Sequence, residues 1–471
     1  MVIEPEEDED EDDWTQYADA GYASAYDPWA DLVDAEEEAD EDEQSEDEFD
    51  DFDESELRPR DIPRCPAPGG VAHAIRIGTC DACLGRVSGA RIAGDPLTTV
   101  GARVRGEATE RDADLTLDEG VECCPFCEDL FVEIDLIAAR IASAIEGIEF
   151  TKAQLGAHFS KAHVAAEEEL RSTLAATGSR PLKASLTETV QAAVIELVPG
   201  MVWVKEKPEV MLLLDTLTLG VNVDIRALFV YGRYLKLSRE IPQTRWPCRA
   251  CRGAGCDSCE GTGQQYPASI QSLVCEPMVA AFGAESDAFH GMGREDINVH
   301  CLGQGRPFVA EIKRPLTRTV DLAALAETIN AAADGQIKIH GLRPSNRAEV
   351  ARIKETKAEK SYTIRFSCEH GFSEEEATAR LLTLAGKTLE QQTPQRVSHR
   401  RADKIRKRKV VALDDIRFEN GEIQFRVRCE SGTYVKELVH SDEGRTTPSV
   451  SGVLGADCEV LWLDVEDIHA D

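Results

Sequence analysis

Eight of the chain's 15 cysteines fall into four C-x-x-C pairs: Cys80 with Cys83, Cys124 with Cys127, Cys248 with Cys251, and Cys256 with Cys259. Tetrahedral zinc takes four thiolates, and one C-x-x-C turn presents two sulfurs to a single ion. The pairs therefore group into two four-thiolate modules. In the second module only four residues separate the pairs, a tight knuckle that Gly253 and Gly255 permit. The first places its pairs far apart in sequence and would staple a subdomain. Unmetallated thiols or a redox dithiol are the alternatives. Neither module leaves an open coordination position, so both read as structural zinc and not as a reaction centre.

A second concentration is cationic. TPQRVSHRRADKIRKRKV, residues 393–410, carries Arg396, Arg400, Arg401, Lys404, Arg406, Lys407, Arg408 and Lys409 against one acid, Asp403. Arg and Lys at this density neutralise phosphates and release counterions, so the segment reads as a contact to a nucleic-acid backbone. The plainer reading is a nonspecific basic loop that pairs with the acidic tail at the start of the chain. A third feature is GREDINVHCLGQGRPF, residues 293–308, where Arg294, Glu295 and Asp296 stand in a Gly-bounded loop. A lone loop aspartate is ordinarily a turn or cap residue. Here Tyr362, together with Tyr434 and Lys436 of SGTYVKEL, supplies two rings and a cation able to surround one carboxylate.

The elements that must position these groups follow from pattern and charge. Of the 88 acidic residues, 28 fall in residues 1–57, which hold no Lys or Arg. The net charge of −36 thus shrinks to −8 for the remainder. Residues 1–58 read as an acidic disordered tail, because like charges repel and little apolar area can be buried there. An acidic mimic of nucleic acid is the sharper alternative. The 42% apolar composition of the chain is that of a globular protein. Lys is scarce beside Arg, 16 against 36, which with the acidity suggests a salt-rich, halophilic cytoplasm. The first residues have no basic and apolar leader pattern, and no run of apolar residues is long enough to span a membrane. The expectation is a cytoplasmic protein with no membrane partner and no implied protein partner.

Residues 132–148 place Ile134, Ile137, Ile141 and Ile145 at helical spacing. Residues 209–240 read as two or three strands. Further strands are expected at 307–313, 336–342 and 360–368, with a helix from about Val320 to Ala332. Residues 410–429 form two alternating runs joined at Asn420-Gly421, the signature of a type I′ hairpin. The fold class is α+β. The expected domains are the tail to 58, a zinc-binding module at 59–130, an α/β domain at 131–245, a cysteine-knuckle linker at 246–264 and a catalytic domain at 265–471.

FVYGRYLKLSREIPQTRW, GREDINVHCLGQGRPF, TPQRVSHRRADK and GTYVKELVHSDEGRTTPS together resemble the archaeal tRNA pseudouridine(54/55) synthases, from the first cysteine pair to the last residues. In that family a THUMP domain precedes a pseudouridine synthase domain with a mixed, mainly antiparallel sheet. The resemblance implies that 131–245 is a THUMP-like RNA-binding domain and that the substrate is tRNA, in its TΨC arm. It places Asp296 as nucleophile, Lys436 as its ion-pair partner, and Tyr362 and Tyr434 against the target uridine. Arg294, Arg396, Arg400 and Arg401 become substrate-binding residues. Cys80, Cys83, Cys124 and Cys127 match the family's zinc region. Where the family motif continues with Asp and Arg, this chain has Asn298 and His300. No cofactor is implied for catalysis, in keeping with the lack of a P-loop or dinucleotide fingerprint. A THUMP-type RNA-binding protein or methyltransferase without isomerase activity is the alternative; a methyltransferase would need a Gly-rich nucleotide loop that the sequence lacks.

Overall fold

The structure, a computed structural model, describes residues 68–90, 94–368, 371–398 and 402–470. The acidic tail, and Arg400 and Arg401 of the basic segment, lie outside the described residues. The chain divides into two compact units at Arg226 and Ala227.

In the N-terminal unit three helices, Pro68–Arg76, Asp81–Val87 and Leu97–Arg111, accompany the first cysteine module. A four-stranded sheet follows: β1 (Lys152–His158), β2 (Val202–Trp203), β3 (Val210–Asp215) and β4 (Val221–Ile225), in the order β2-β1-β3-β4. β1 runs parallel to β2 and β3, and β3 is antiparallel to β4. The parallel β1–β3 pair needs a long crossover, which the helices Lys161–Thr173 and Leu182–Leu197 supply. The expected isoleucine helix spans Ile134–Ala144, with Ile137 and Ile141 fully buried beside Leu186, Val190 and Leu212. Truncating Ile141 to Ala there costs about 2–5 kcal/mol.

The C-terminal unit is built on a ten-stranded sheet. Its strands are β5 (Leu228–Lys236), β6 (Ser286–Gly291), β7 (Cys301–Lys313), β8 (Ile337–Ser345), β9 (Glu359–Cys368), β10 (Thr388–Gln392), β11 (Ile405–Glu419), β12 (Glu422–Cys429), β13 (Thr446–Thr447) and β14 (Cys458–His469). The order is β13-β10-β11-β12-β9-β14-β7-β5-β8, with β6 also on β7. The β14–β7 contact is parallel and the other pairs are antiparallel, so the fold is α+β with a mixed sheet. The β11–β12 hairpin turns at Asn420 and Gly421, both at positive φ as a type I′ turn requires. Helices Ile270–Phe282 and Leu322–Ala332 add Val274, Met278, Leu325 and Ile329 to the core.

One boundary needs correction. Sequence reading puts residues 228–236 with the middle domain, yet β5 is an inner strand between β7 and β8 of the C-terminal sheet. The run from β3 through β5 is nearly continuous in Val and Leu, so alternation alone could not reveal that the chain changes sheets after Arg226. Among the described residues no helix is long and apolar enough to cross a membrane.

Candidate active site

Asp296 lies in the loop between the antiparallel strands β6 and β7. That loop is tied down through its main chain. Gly293 takes a left-handed φ of +75°, and a Cβ there would sit 3.2 Å from the Arg306 guanidinium. Arg306, on β7 and fully buried, donates to Met292 O at 2.7 Å and pairs through Nε with Glu295 Oε2 at 2.7 Å. Tyr234 on β5 donates its hydroxyl to Glu295 at 2.8 Å, and burial, then Glu295, push its phenol far up, so it stays a neutral donor. Gln243 donates to Tyr234 Oη at 2.8 Å and to Gly293 O at 3.0 Å. Lys236, also wholly buried, donates to Asp296 O at 2.9 Å and to Ile297 O. Burial lowers its pKa to about 8. The backbone at 292, 293, 296 and 297 is thereby fixed, and the Asp296 side chain remains half exposed.

The opposite wall comes from the turn after β12 and the short helix Val435–His440. Gln391 of β10, fully buried, accepts the Tyr434 N–H at 2.9 Å and donates to Tyr434 O at 2.9 Å. One amide thus sets the start of the helix, and Lys436 Nζ comes to 3.0 Å from Asp296 Oδ2. Arg396 Nε donates to the buried Glu437 Oε1 at 2.7 Å, linking the basic segment to the same helix. Burial works to raise the Asp296 pKa, yet Lys436, then Arg396 and Arg294, outweigh it and hold the carboxyl below the usual carboxylate range.

Asp296, Lys436, Tyr362, Tyr434, Arg294 and Arg396 line one cavity of about 360 Å³. Lys360 and the aliphatic Leu463 and Val465 complete its walls. Burial pushes the Tyr362 phenol up and lowers Lys360 to about 8. A carboxylate faced by a cation, in a cavity that two tyrosines and apolar side chains also line, suits attack on or proton removal from a flat substrate group. Arg400 and Arg401 lie outside the described residues. Farther along the segment, Lys407 and Lys409 on β11 are exposed, while Arg406 donates to Thr393 Oγ1 at 2.7 Å. Asn298 serves through its carbonyl, which accepts from Arg239 at 2.7 Å. The His300 N–H donates to Asp464 at 3.0 Å, and Asp464 also pairs with Arg239 at 2.7 Å.

Lys236, Tyr234, Gln243, Arg306 and Lys360 are absent from the residues singled out by sequence, and Glu295 stands there only as a member of the loop, with no role. Lys236 at the end of the largely apolar β5 and Arg306 within β7 were the available signals. Neither states where it points.

Both cysteine modules assemble. The Sγ atoms of Cys80, Cys83, Cys124 and Cys127 lie within 4.8 Å of one another, as do those of Cys248, Cys251, Cys256 and Cys259. Tetrahedral zinc with Zn–S near 2.3 Å implies S···S edges of about 3.8 Å. The edges Cys80–Cys127 at 3.7 Å, Cys248–Cys256 at 3.9 Å, Cys251–Cys259 at 3.8 Å and Cys256–Cys259 at 3.7 Å match that size. Amide N–H groups also point at the sulfurs: Cys80 at Cys124 (3.4 Å), and Cys256 and Gly263 at Cys259 (both 3.2 Å). Such donors favour thiolate, the form a metal binds. Both clusters fit a four-coordinate structural metal.

A family model described as "Pus10, C-terminal" matches residues 229–469. The tRNA pseudouridine synthase Pus10 of Methanothrix thermoacetophila is 39% identical over 335 residues, covering 71% of this chain and 74% of that protein. The tRNA pseudouridine synthase Pus10 of Halorubrum lacusprofundi is 36% identical over 404 residues, covering 83% and 93%. Among solved structures, a Cbf5-Nop10-Gar1 complex aligns over 50% of this chain and 48% of that one at 16% identity. The TM-score of that alignment is 0.27.

Proposed function

The chain belongs to the Pus10 family, and from that premise we propose that it is a tRNA pseudouridine synthase acting on uridines 54 and 55 of the TΨC arm, with Asp296 as nucleophile. The observation that carries this reading is the 3.0 Å contact between Asp296 and Lys436 inside a cavity lined by Tyr362 and Tyr434. Pseudouridine formation breaks the C1′–N1 bond, turns the base and rejoins it through C5. The C5 proton leaves and N1 gains one, so nothing is oxidised or transferred to a second molecule.

The target uridine is stacked within its arm and must be flipped out to reach the carboxylate. The Tyr362 and Tyr434 rings replace the lost stacking. Asp296, kept ionised by Lys436, then acts at the ribose C1′. Leu463 and Val465 exclude water beside the reacting atoms. Arg294, Arg396, Arg400 and Arg401 take phosphates close to the flipped nucleotide, and the exposed lysines of β11 extend that track. In the N-terminal unit, the cysteine module and the THUMP-like four-stranded sheet domain hold the remaining tRNA by shape and backbone contacts. Zinc is the metal that four thiolates select in both clusters, and its role is structural. Such an enzyme works in the cytoplasm, where its tRNA is.

Mapping pseudouridine in tRNA from a strain lacking this protein tests the reading. Uridine at 54 and 55, restored to pseudouridine by the native chain, is expected. Unchanged modification at both positions contradicts it.

A further inference from the structure

Between β5 and the helix Ile270–Phe282 the chain runs out along residues 241–247, turns through the second cysteine cluster and returns at 264–266. The outgoing limb touches the Asp296 loop, or the strand leading to it, at three successive points. Gln243 holds Gly293 O at 3.0 Å and the Tyr234 hydroxyl at 2.8 Å. Arg245 reaches both oxygens of Asp287 on β6 at 3.0 and 2.8 Å. Trp246 carries the Arg294 guanidinium over its ring, 5.4 Å from the centroid and within cation–π range. Arg294 stands two residues before Asp296 and lines the same cavity.

Trp246 is held from the returning limb. Tyr266 meets its ring edge-on at 5.5 Å, and the Gln265 N–H donates to Trp246 O at 2.8 Å. The Cys248 N–H donates to Gly263 O at 2.7 Å, and the Gln265 side chain to Pro247 O at 2.9 Å. These ties require the two limbs to stay together. From Arg249 to Thr262 no residue is buried, so the knuckle has no apolar core of its own. Beyond these ties, the cluster of Cys248, Cys251, Cys256 and Cys259 closes the knuckle at the far end of the two limbs.

We propose that this knuckle is a positioning device of the active site: by clamping the two limbs it presents Trp246 as the platform that orients Arg294 at the Asp296 cavity. Arg294 is exposed and has many rotamers to lose, so one favoured ring contact raises the share of molecules with its guanidinium at the cavity. Its charge is also among those that hold Asp296 ionised. The cluster thus reaches the reacting carboxylate through two side chains. The inference rests on the reading of Asp296 as the reacting group.

A double-mutant cycle on the full-length, zinc-loaded protein tests it, with single-turnover pseudouridine formation as the rate. Trp246→Ala and Cys259→Ser should each slow the native chain about three- to tenfold, while Trp246→Phe, which keeps a ring, should stay close to native. In an Arg294→Ala background Trp246→Ala and Cys259→Ser should cost almost nothing further, because the group they position is gone. Zinc extraction should red-shift the part of the tryptophan emission that Trp246→Phe removes. Equal losses in both backgrounds, or no loss in the native one, overturn the proposal. If Cys259→Ser does not fold, the Trp246 pair alone decides. Asp296→Asn is run alongside: if it is active, the reading of the site fails; if it is inactive and the cycle is additive, only the role of the knuckle fails.

Discussion

The Lys236 ammonium, wholly buried on β5, donates to the main-chain carbonyl of Asp296 at 2.9 Å, while Lys436 meets the carboxylate of the same residue at 3.0 Å. One lysine holds the loop and the other sets the charge it presents. The two jobs are separable by experiment.

Replacing Lys236 by Met leaves the carbonyls of Asp296 and Ile297 without that donor, at a cost of about 2 kcal/mol. The single-turnover rate should fall at least tenfold with tRNA affinity within a few-fold, since a displaced carboxylate costs more in the transition state than in binding. Thermal melting and rate measured on the same sample check this.

The two lysines near 8 give an alkaline prediction. Lys236 is charged below about 8 and loses its proton as the pH rises through that value, which weakens its hold on the two carbonyls. The native rate should therefore decline on the alkaline side, with a midpoint near 8. Lys360, also lowered to about 8, lines the same cavity. If the decline persists in Lys360→Gln, it belongs to Lys236; if it vanishes there, Lys360 is the titrating group.

The acid side follows from Lys436. The working form of Asp296 is the carboxylate, present above its pKa and lost as the pH falls through it. Lys436 holds that pKa below the usual range, so the native rate should be flat down through weakly acidic pH. Lys436→Gln should move the acid limb upward, and the loss relative to the native chain should grow as the pH drops. A parallel loss at every pH would mean that Lys436 acts otherwise.

Much of this site is legible in the sequence. C-x-x-C spacing grouped the eight cysteines as they cluster, because three-residue spacing leaves little freedom in where two sulfurs point. Asn420-Gly421 located the hairpin, since few sequences accept two consecutive positive φ values. Residue types suggest Lys436 as a cation able to face Asp296, and only the resemblance makes the two an ion pair, since no local pattern encodes a contact across 140 residues. Lys236, Tyr234 and Arg306 were illegible for a related reason. Their value lies in which loop they lie beneath, and strand alternation carries no information about partners distant in sequence. The switch of β5 to the second sheet is hidden in the same way, because its partners β7 and β8 are distant in sequence.

Metal analysis of protein purified without chelator should find two zinc ions per chain. Cys124→Ser should reduce this to one and loosen the N-terminal unit, whose core includes Cys83, Cys124 and Cys127. Limited proteolysis would locate the loosened region, and zinc content still at two per chain would refute the assignment.

The basic segment should govern the salt dependence of binding. Changing Arg400, Arg401, Lys404 and Lys409 to Gln should flatten the plot of log affinity against log salt by about 0.7–0.9 for each phosphate no longer neutralised. Filter binding across a salt series measures it, and an unchanged slope would place the tRNA elsewhere.

The most direct measurement is single-turnover pseudouridine formation by Asp296→Asn on unmodified tRNA, with affinity measured on the same preparation. The amide keeps the shape of the side chain and removes its charge and nucleophilicity. The expected result is a rate lower by roughly 10³-fold or more with affinity within a few-fold, since binding energy comes from phosphates and not from this group. Pseudouridine formed by Asp296→Asn at a substantial fraction of the native rate would contradict the assignment of the nucleophile.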